Sequence, residues 1–88
     1  MRLERTLRGQ GQLSWGGRQV REVDYAIDFY SQGQMRSAAG DVRGDLTVIA
    51  NRPPIAARLR LADGEHLAVL LSDIEADQAA VQLAPAVN

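Results

Sequence analysis

Apolar and polar residues alternate along much of this chain, as a half-buried β-strand requires, because successive side chains point to opposite faces of a sheet. The longest such run is Val23, Tyr25, Ile27 and Phe29, interleaved with Glu22, Asp24, Ala26, Asp28 and Tyr30. The sharpest is Ile55, Ala57, Leu59 and Leu61, then Asp63-Gly64, then Leu67, Val69 and Leu71. Asp-Gly between two alternating runs is a strong hairpin signal. Weaker alternation in Leu3-Arg5-Leu7 and again in Gly11-Leu13-Trp15 predicts two short strands at the start, with Gly9 and Gly11 marking a break or bulge. Gly16-Gly17 suits a tight turn that pairs residues 11–15 antiparallel with 18–30, and the length of that second run predicts a bend or bulge at 21–23.

Ser31-Gln32-Gly33-Gln34 predicts a second turn, and residues 35–42 a strand diluted by Ser37, Ala38, Ala39 and Gly40. The run Leu46-Thr47-Val48-Ile49-Ala50 is β-branched and flanked by breakers, which predicts a further strand. Asn51-Arg52-Pro53-Pro54 must be irregular, since neither proline can donate to a ladder. The C-terminal stretch fits two elements. Ser72-Asp73-Ile74-Glu75 has the form of a capping box, and Ala76, Ala79, Ala80 and Leu83 share one helical face. Ala79, Val81 and Leu83 also alternate, and the strand is favoured because a closed sheet needs its last edge covered.

The sum is an all-β chain of seven or eight strands with no crossover helix, hence a small antiparallel meander. Closure into a barrel is expected, with a two-sheet sandwich as the other arrangement and a short C-terminal helix as a variant. A length of 88 residues makes this a single β domain, 1–88. Residues 67–71 are apolar on nearly both faces, since Ala68 and Leu70 add to Leu67, Val69 and Leu71, which points to a central strand or to a contact between copies.

Eleven acids and ten bases leave a net charge of -1, so no net field draws the chain to nucleic acid or an anionic membrane. All ten bases are arginine, which reads as coding bias. With no cysteine, disulfides, thiolate catalysis and cysteine-ligated metal are excluded. Met1 to Arg8 lacks the apolar run of a secretory signal and no stretch approaches a membrane span, so a cytoplasmic location and no membrane contact are expected.

Few residues suggest chemistry. Gly11-Gln12-Leu13-Ser14-Trp15-Gly16 has phosphate-loop spacing, but Gly17 stands where the lysine must be. Gly9-Gln10-Gly11 begins a dinucleotide fingerprint that Ser14 leaves incomplete. His66 is the single histidine, at the start of a hairpin strand, where it reads as a surface residue. Glu22, Asp24 and Asp28 share a strand face and could flank a glycosidic bond or a cation, but such work needs one carboxyl shielded from water; a solvated face balanced by Arg58 and Arg60 on a neighbouring strand is the expectation. Arg2, Arg5 and Arg8 would make a basic stripe on a helix and share no face on a strand. Trp15, Tyr25 and Phe29 read as core, which leaves Tyr30 free to line a pocket and supplies no stacking platform for nucleic acid.

The segment Asp77-Gln78-Ala79-Ala80-Val81 is similar to the D-x-[SA]-x-x-G strand of PilZ domains, small β-barrels that bind cyclic dinucleotides. Gln82 replaces the glycine, the chain has no R-x-x-x-R pair, and the match lies at the wrong end, so no family is assigned. The reading is a non-enzymatic β-barrel interaction module, self-associating through the Leu67 to Leu71 region, with no cofactor, catalytic residue or metal ligand named. The alternative is a barrel that binds a small anionic molecule through Tyr30, Arg52, Arg58 and Arg60.

Overall fold

Alternation is realised over longer spans than the glycines suggest. The computed structural model describes residues 2–16 and 19–84. It contains six strands: β1 (Arg2–Trp15), β2 (Gln19–Gln32), β3 (Met35–Gly44), β4 (Ile55–Arg60), β5 (His66–Ser72) and β6 (Gln78–Leu83). All neighbours pair antiparallel in the order β1-β2-β3-β6-β5-β4, and β4 returns to β1 to close a barrel. The barrel is therefore the arrangement adopted and the sandwich is not.

Six strands replace the expected seven or eight for two reasons. First, residues 3–7 and 11–15 belong to one unbroken β1. Gly9 and Gly11 do not interrupt it; they make room for Tyr25, whose hydroxyl oxygen would lie 2.9 Å from a Cβ at Gly9 and whose ring edge would lie 3.2 Å from one at Gly11. The Tyr25 hydroxyl then accepts a hydrogen bond of 3.1 Å from the Ala62 amide in the β4–β5 loop. Second, Thr47–Ile49 form a 3-10 turn, not a strand. The Asp45 carboxylate accepts bonds from the Thr47 amide (3.2 Å) and the Thr47 hydroxyl (2.7 Å), and this local pairing outcompetes the β-propensity of the run.

The C-terminal choice resolves as a strand. Ser72 is still in β5 and Asp73 turns at φ 47°, so the capping box is not formed; β6 instead fills the gap between β3 and β5. The β4–β5 hairpin forms as expected but with a wider loop. Arg60 is opposite His66, the Leu61 amide bonds to the Glu65 carbonyl at 2.7 Å, and Gly64 carries φ +94° at the position where a three-residue loop needs a left-handed residue. The bulge expected at 21–23 is absent from the register; β1 carries the irregularity instead, between Leu3 and Arg5. Of the first turn, Gly17 and Arg18 lie outside the described residues, while Trp15 opposite Gln19 shows the expected antiparallel pairing.

The interior is filled. Leu13, Trp15, Val23, Tyr25, Ile27, Val42, Leu59, Leu61, Val69, Leu71, Ala79 and Val81 point inward and are buried. Each fully buried Leu or Ile contributes about 1.5–3 kcal/mol of transfer free energy. Leu46, Ile49 and Ile74, from the β3–β4 and β5–β6 connections, plug the end where β1 finishes. These connections are tied by Leu46 amide to Ala76 carbonyl and Asn51 amide to Ile74 carbonyl, both 2.8 Å. Among the described residues no polar or charged residue is buried.

At Gly40 the β3 backbone lies so close to Ala26 that an added Cβ would collide with the Ala26 carbonyl oxygen. Gly64 has open space around it and is constrained by φ alone. Gly40→Ala is accordingly expected to cost about 2–3 kcal/mol by overpacking. Gly64→Ala should cost about 1 kcal/mol by backbone strain. Urea unfolding followed by circular dichroism measures both, and a Gly40→Ala protein as stable as the parent contradicts this packing.

Candidate functional site

Strand lengths and stagger decide what the barrel presents outside itself. β1 pairs with β2 along its whole length but meets β4 only through Gln12, Leu13 and Ser14, opposite Arg60, Leu59 and Arg58. β3 pairs with β6 only from Ala39 to Arg43. Residues 2–10 of β1, 25–32 of β2 and 35–38 of β3 therefore run on past the closed part as a three-stranded blade, and the described residues extend over 38 × 26 × 21 Å. Along Arg2–Gln10 the side of β1 away from β2 has no partner strand among the described residues. Such an edge carries backbone donors and acceptors that another strand can take up.

The blade is held by the same alternation that fills the barrel. Leu7, Ile27 and Gly40 form one row of its inner face, and Arg5, Phe29 and Ala38 the next. Ile27 and Ala38 are buried and Leu7 and Phe29 half-buried, so the core continues into the blade's root. The Arg5 guanidinium sits over the Phe29 ring, 4.9 Å from its centre. Leu3 and Met35, at the tip, are exposed at 54% and 77%, which marks where the core ends.

The sequence-derived candidates are dispersed over this frame. Glu22, Asp24 and Asp28 do share the outer face of β2, but β4 is not beside it; Asp24 lies opposite Gln10 and Arg43, whereas Arg58 and Arg60 lie opposite Ser14 and Gln12 of β1. The arginine in register with Asp24 is Arg43, because β1 intervenes between β2 and β4. Glu22 and Asp24 are exposed and Asp28 half-buried, with Thr6 Oγ1 donating to Asp28 at 2.6 Å and the Tyr30 hydroxyl at 3.5 Å. All three carboxylates thus stay in contact with water. His66 is exposed on the outer face of β5.

Arg2 and Arg5, expected on different faces, share the inner one, because the bulge inserts a residue between them: Arg2 lies opposite Ser31 and Arg5 opposite Phe29. Arg8, opposite Ala26, is on the outer face. The apolar run 67–71 goes mainly into the core, with Val69 and Leu71 buried and Leu67 half-buried; outside, Ala68 is exposed and Leu70 half-buried. Its two-sided apolarity matches a strand flanked by β4 and β6.

Open clefts lie on the surface of the described residues. One of about 660 Å³ includes Arg43, Arg60 and Asp63; one of about 740 Å³ includes Arg52, Asp73 and Glu75; one of about 350 Å³ includes Arg5, Tyr30 and Arg36. Tyr30, Arg52 and Arg60 thus fall in three different clefts, and Arg58 in none of these. Among the described residues no group of three or more His, Asp or Glu is placed to hold a metal ion, and no helix is long and apolar enough to cross a membrane. The strands point apolar side chains inward and polar ones outward, the reverse of a barrel with a lipid-facing apolar band. The open edge of β1 was not legible locally; Arg2, Glu4, Arg5 and Arg8, typical of a guarded strand edge, were its one signal. Comparison with known proteins returns no family model, curated protein or solved structure that matches the chain.

The Asp45 carboxyl has a displaced titration. The Thr47 hydroxyl and amide bonds hold the Asp45 carboxyl below the usual carboxylate range, against a slight opposing effect of desolvation and with help from the Arg21 charge. Because the folded value is the lower one, these bonds favour the fold above the ordinary carboxylate pKa and cease to do so as pH falls through the lowered value. Asp45→Asn should therefore melt below the parent at about pH 7 and converge with it toward about pH 2. A difference in melting temperature that stays constant across that range contradicts this role for the charge.

Proposed function

We propose that this barrel is a non-enzymatic interaction module that associates with copies of itself. The observation that supports the reading is the side of β1 over Arg2–Gln10 that has no partner strand among the described residues, carried on a blade whose root is continuous with the core. A strand already ordered by β2 and β3 binds another strand without paying the ordering cost of a flexible segment. Leu67–Leu71 offers less to a partner, since Val69 and Leu71 are buried in the barrel and Leu70 on the outer face is half-buried. The filled interior and water-exposed acids fit binding better than chemistry, because catalysis by carboxylates needs a shielded pair.

Sedimentation equilibrium on the full chain tests the proposal. The weight-average mass is expected to rise with concentration from the 9.6 kDa of one chain toward twice that value. A mass that stays at one chain up to several hundred micromolar (roughly the upper working range for weak transient contacts) overturns it.

A further inference from the structure

Resting on that reading, we infer that the partner surface is the β1 edge itself, paired antiparallel with the β1 edge of a second copy about a two-fold axis at Thr6. Charge selects this register within limits that the open edge sets. Among the described residues the unpaired run extends from Arg2 at the blade tip to Gln10, just before β4 takes over at Gln12. The bulge puts Arg2 and Leu3 out of phase with Gln10 and Gly9, so an axis at Thr6 pairs the regular stretch Glu4–Arg8 with that of the second copy and leaves Arg2 and Leu3 beyond the ladder.

In an antiparallel two-fold pairing, residues directly opposite must lie on the same face, so the axis passes through a residue and the choices along this run are few. An axis at Arg5 sets Arg5 against Arg5, and an axis at Arg8 sets Arg8 against Arg8. An axis at Leu7 brings no charges together, with Thr6 opposite Arg8 and Arg5 opposite Gly9. The Thr6 axis sets Glu4 opposite Arg8 twice, once on each side, with Thr6 opposite Thr6 and Arg5 opposite Leu7. Opposed charges across a ladder stabilise it and like charges oppose it, so this register is selected among the alternatives.

The faces agree. Thr6 lies opposite Asp28 and Arg8 opposite Ala26, both on the outer face of β2, and alternation carried back from Thr6 places Glu4 on that face too. Arg5 and Leu7 share the inner face, opposite Phe29 and Ile27. The bulge between Leu3 and Arg5 ends the regular stretch at Glu4, and the charges around it discourage strands that lack the matching pattern. The product is a continuous six-stranded sheet, β3-β2-β1 of one copy running into β1-β2-β3 of the next, with a barrel at either end. Each copy uses the same patch, so the assembly closes as a dimer.

The test is a charge exchange. E4R sets arginine against Arg8 in both pairs, and R8E sets glutamate against Glu4 in both. Each variant alone should dimerise at least about tenfold more weakly than the parent, while an equimolar mixture, in which every opposed pair again joins an acid to a base, should recover to within about threefold. Circular dichroism melting confirms that both variants fold, and since Glu4 and Arg8 are both exposed their melting should match the parent's. If the parent stays monomeric at every concentration, self-association fails and this register with it. If the parent dimerises while E4R, R8E and their mixture all associate as the parent does, the β1 register is overturned and the module reading stands.

Discussion

The structure hinges on a short seam. Gln12, Leu13 and Ser14 of β1 meet Arg60, Leu59 and Arg58 of β4, and these pairings turn an open six-stranded sheet into a barrel. Leu13 and Leu59, directly opposite each other and fully buried, lie at its middle, so closure is fastened by core packing as well as by ladder bonds. Because the seam lies toward the C-terminal end of β1, the preceding residues are left outside it. Closure and the projecting blade are thus two results of one stagger, the tilt and offset that strands must adopt to close a sheet.

Close backbone approaches allow that stagger. At Gly11 a side chain would collide with the Arg60 carbonyl just beyond the seam, and at Gly40 with that of Ala26 where β3 pairs with β2. Tyr25 links β1 to the β4–β5 loop, its ring lying over Gly9 and Gly11 and its hydroxyl holding the loop at Ala62. The other end is closed differently, by Leu46, Ile49 and Ile74 on irregular connections that bond to one another. One end of the barrel is therefore sealed by loops, and the other continues into the blade.

What could be read in the residues follows the range of the forces involved. The β4–β5 hairpin was legible because alternation and turn chemistry lie within the consecutive positions Ile55–Leu71, and the shared face of Glu22, Asp24 and Asp28 because side-chain alternation is a property of a single strand. Strand order is not such a property. Arg58 and Arg60 were assigned beside the acids of β2, but their neighbours are Ser14 and Gln12, and nothing local distinguishes those pairings from others. Gly9 and Gly11 looked like breaks because the reason for them, the Tyr25 ring, comes from another strand. Thr47-Val48-Ile49 looked like a strand because propensity does not register the bonds from Thr47 to Asp45. Most of the fold was visible, and the candidate interface was not, because an unpaired edge is defined by where other strands stop.

Amide hydrogen exchange read residue by residue along β1, in a dilute sample, measures the seam and the open edge together. The account requires slow exchange through Gln12–Ser14, where β1 is paired on both sides, and fast exchange at those amides of Arg2–Gln10 that point away from β2. Uniform protection from Arg2 to Ser14 would show that the edge is covered within one chain, and rapid exchange through Gln12–Ser14 would show that the barrel does not close there; either result contradicts it.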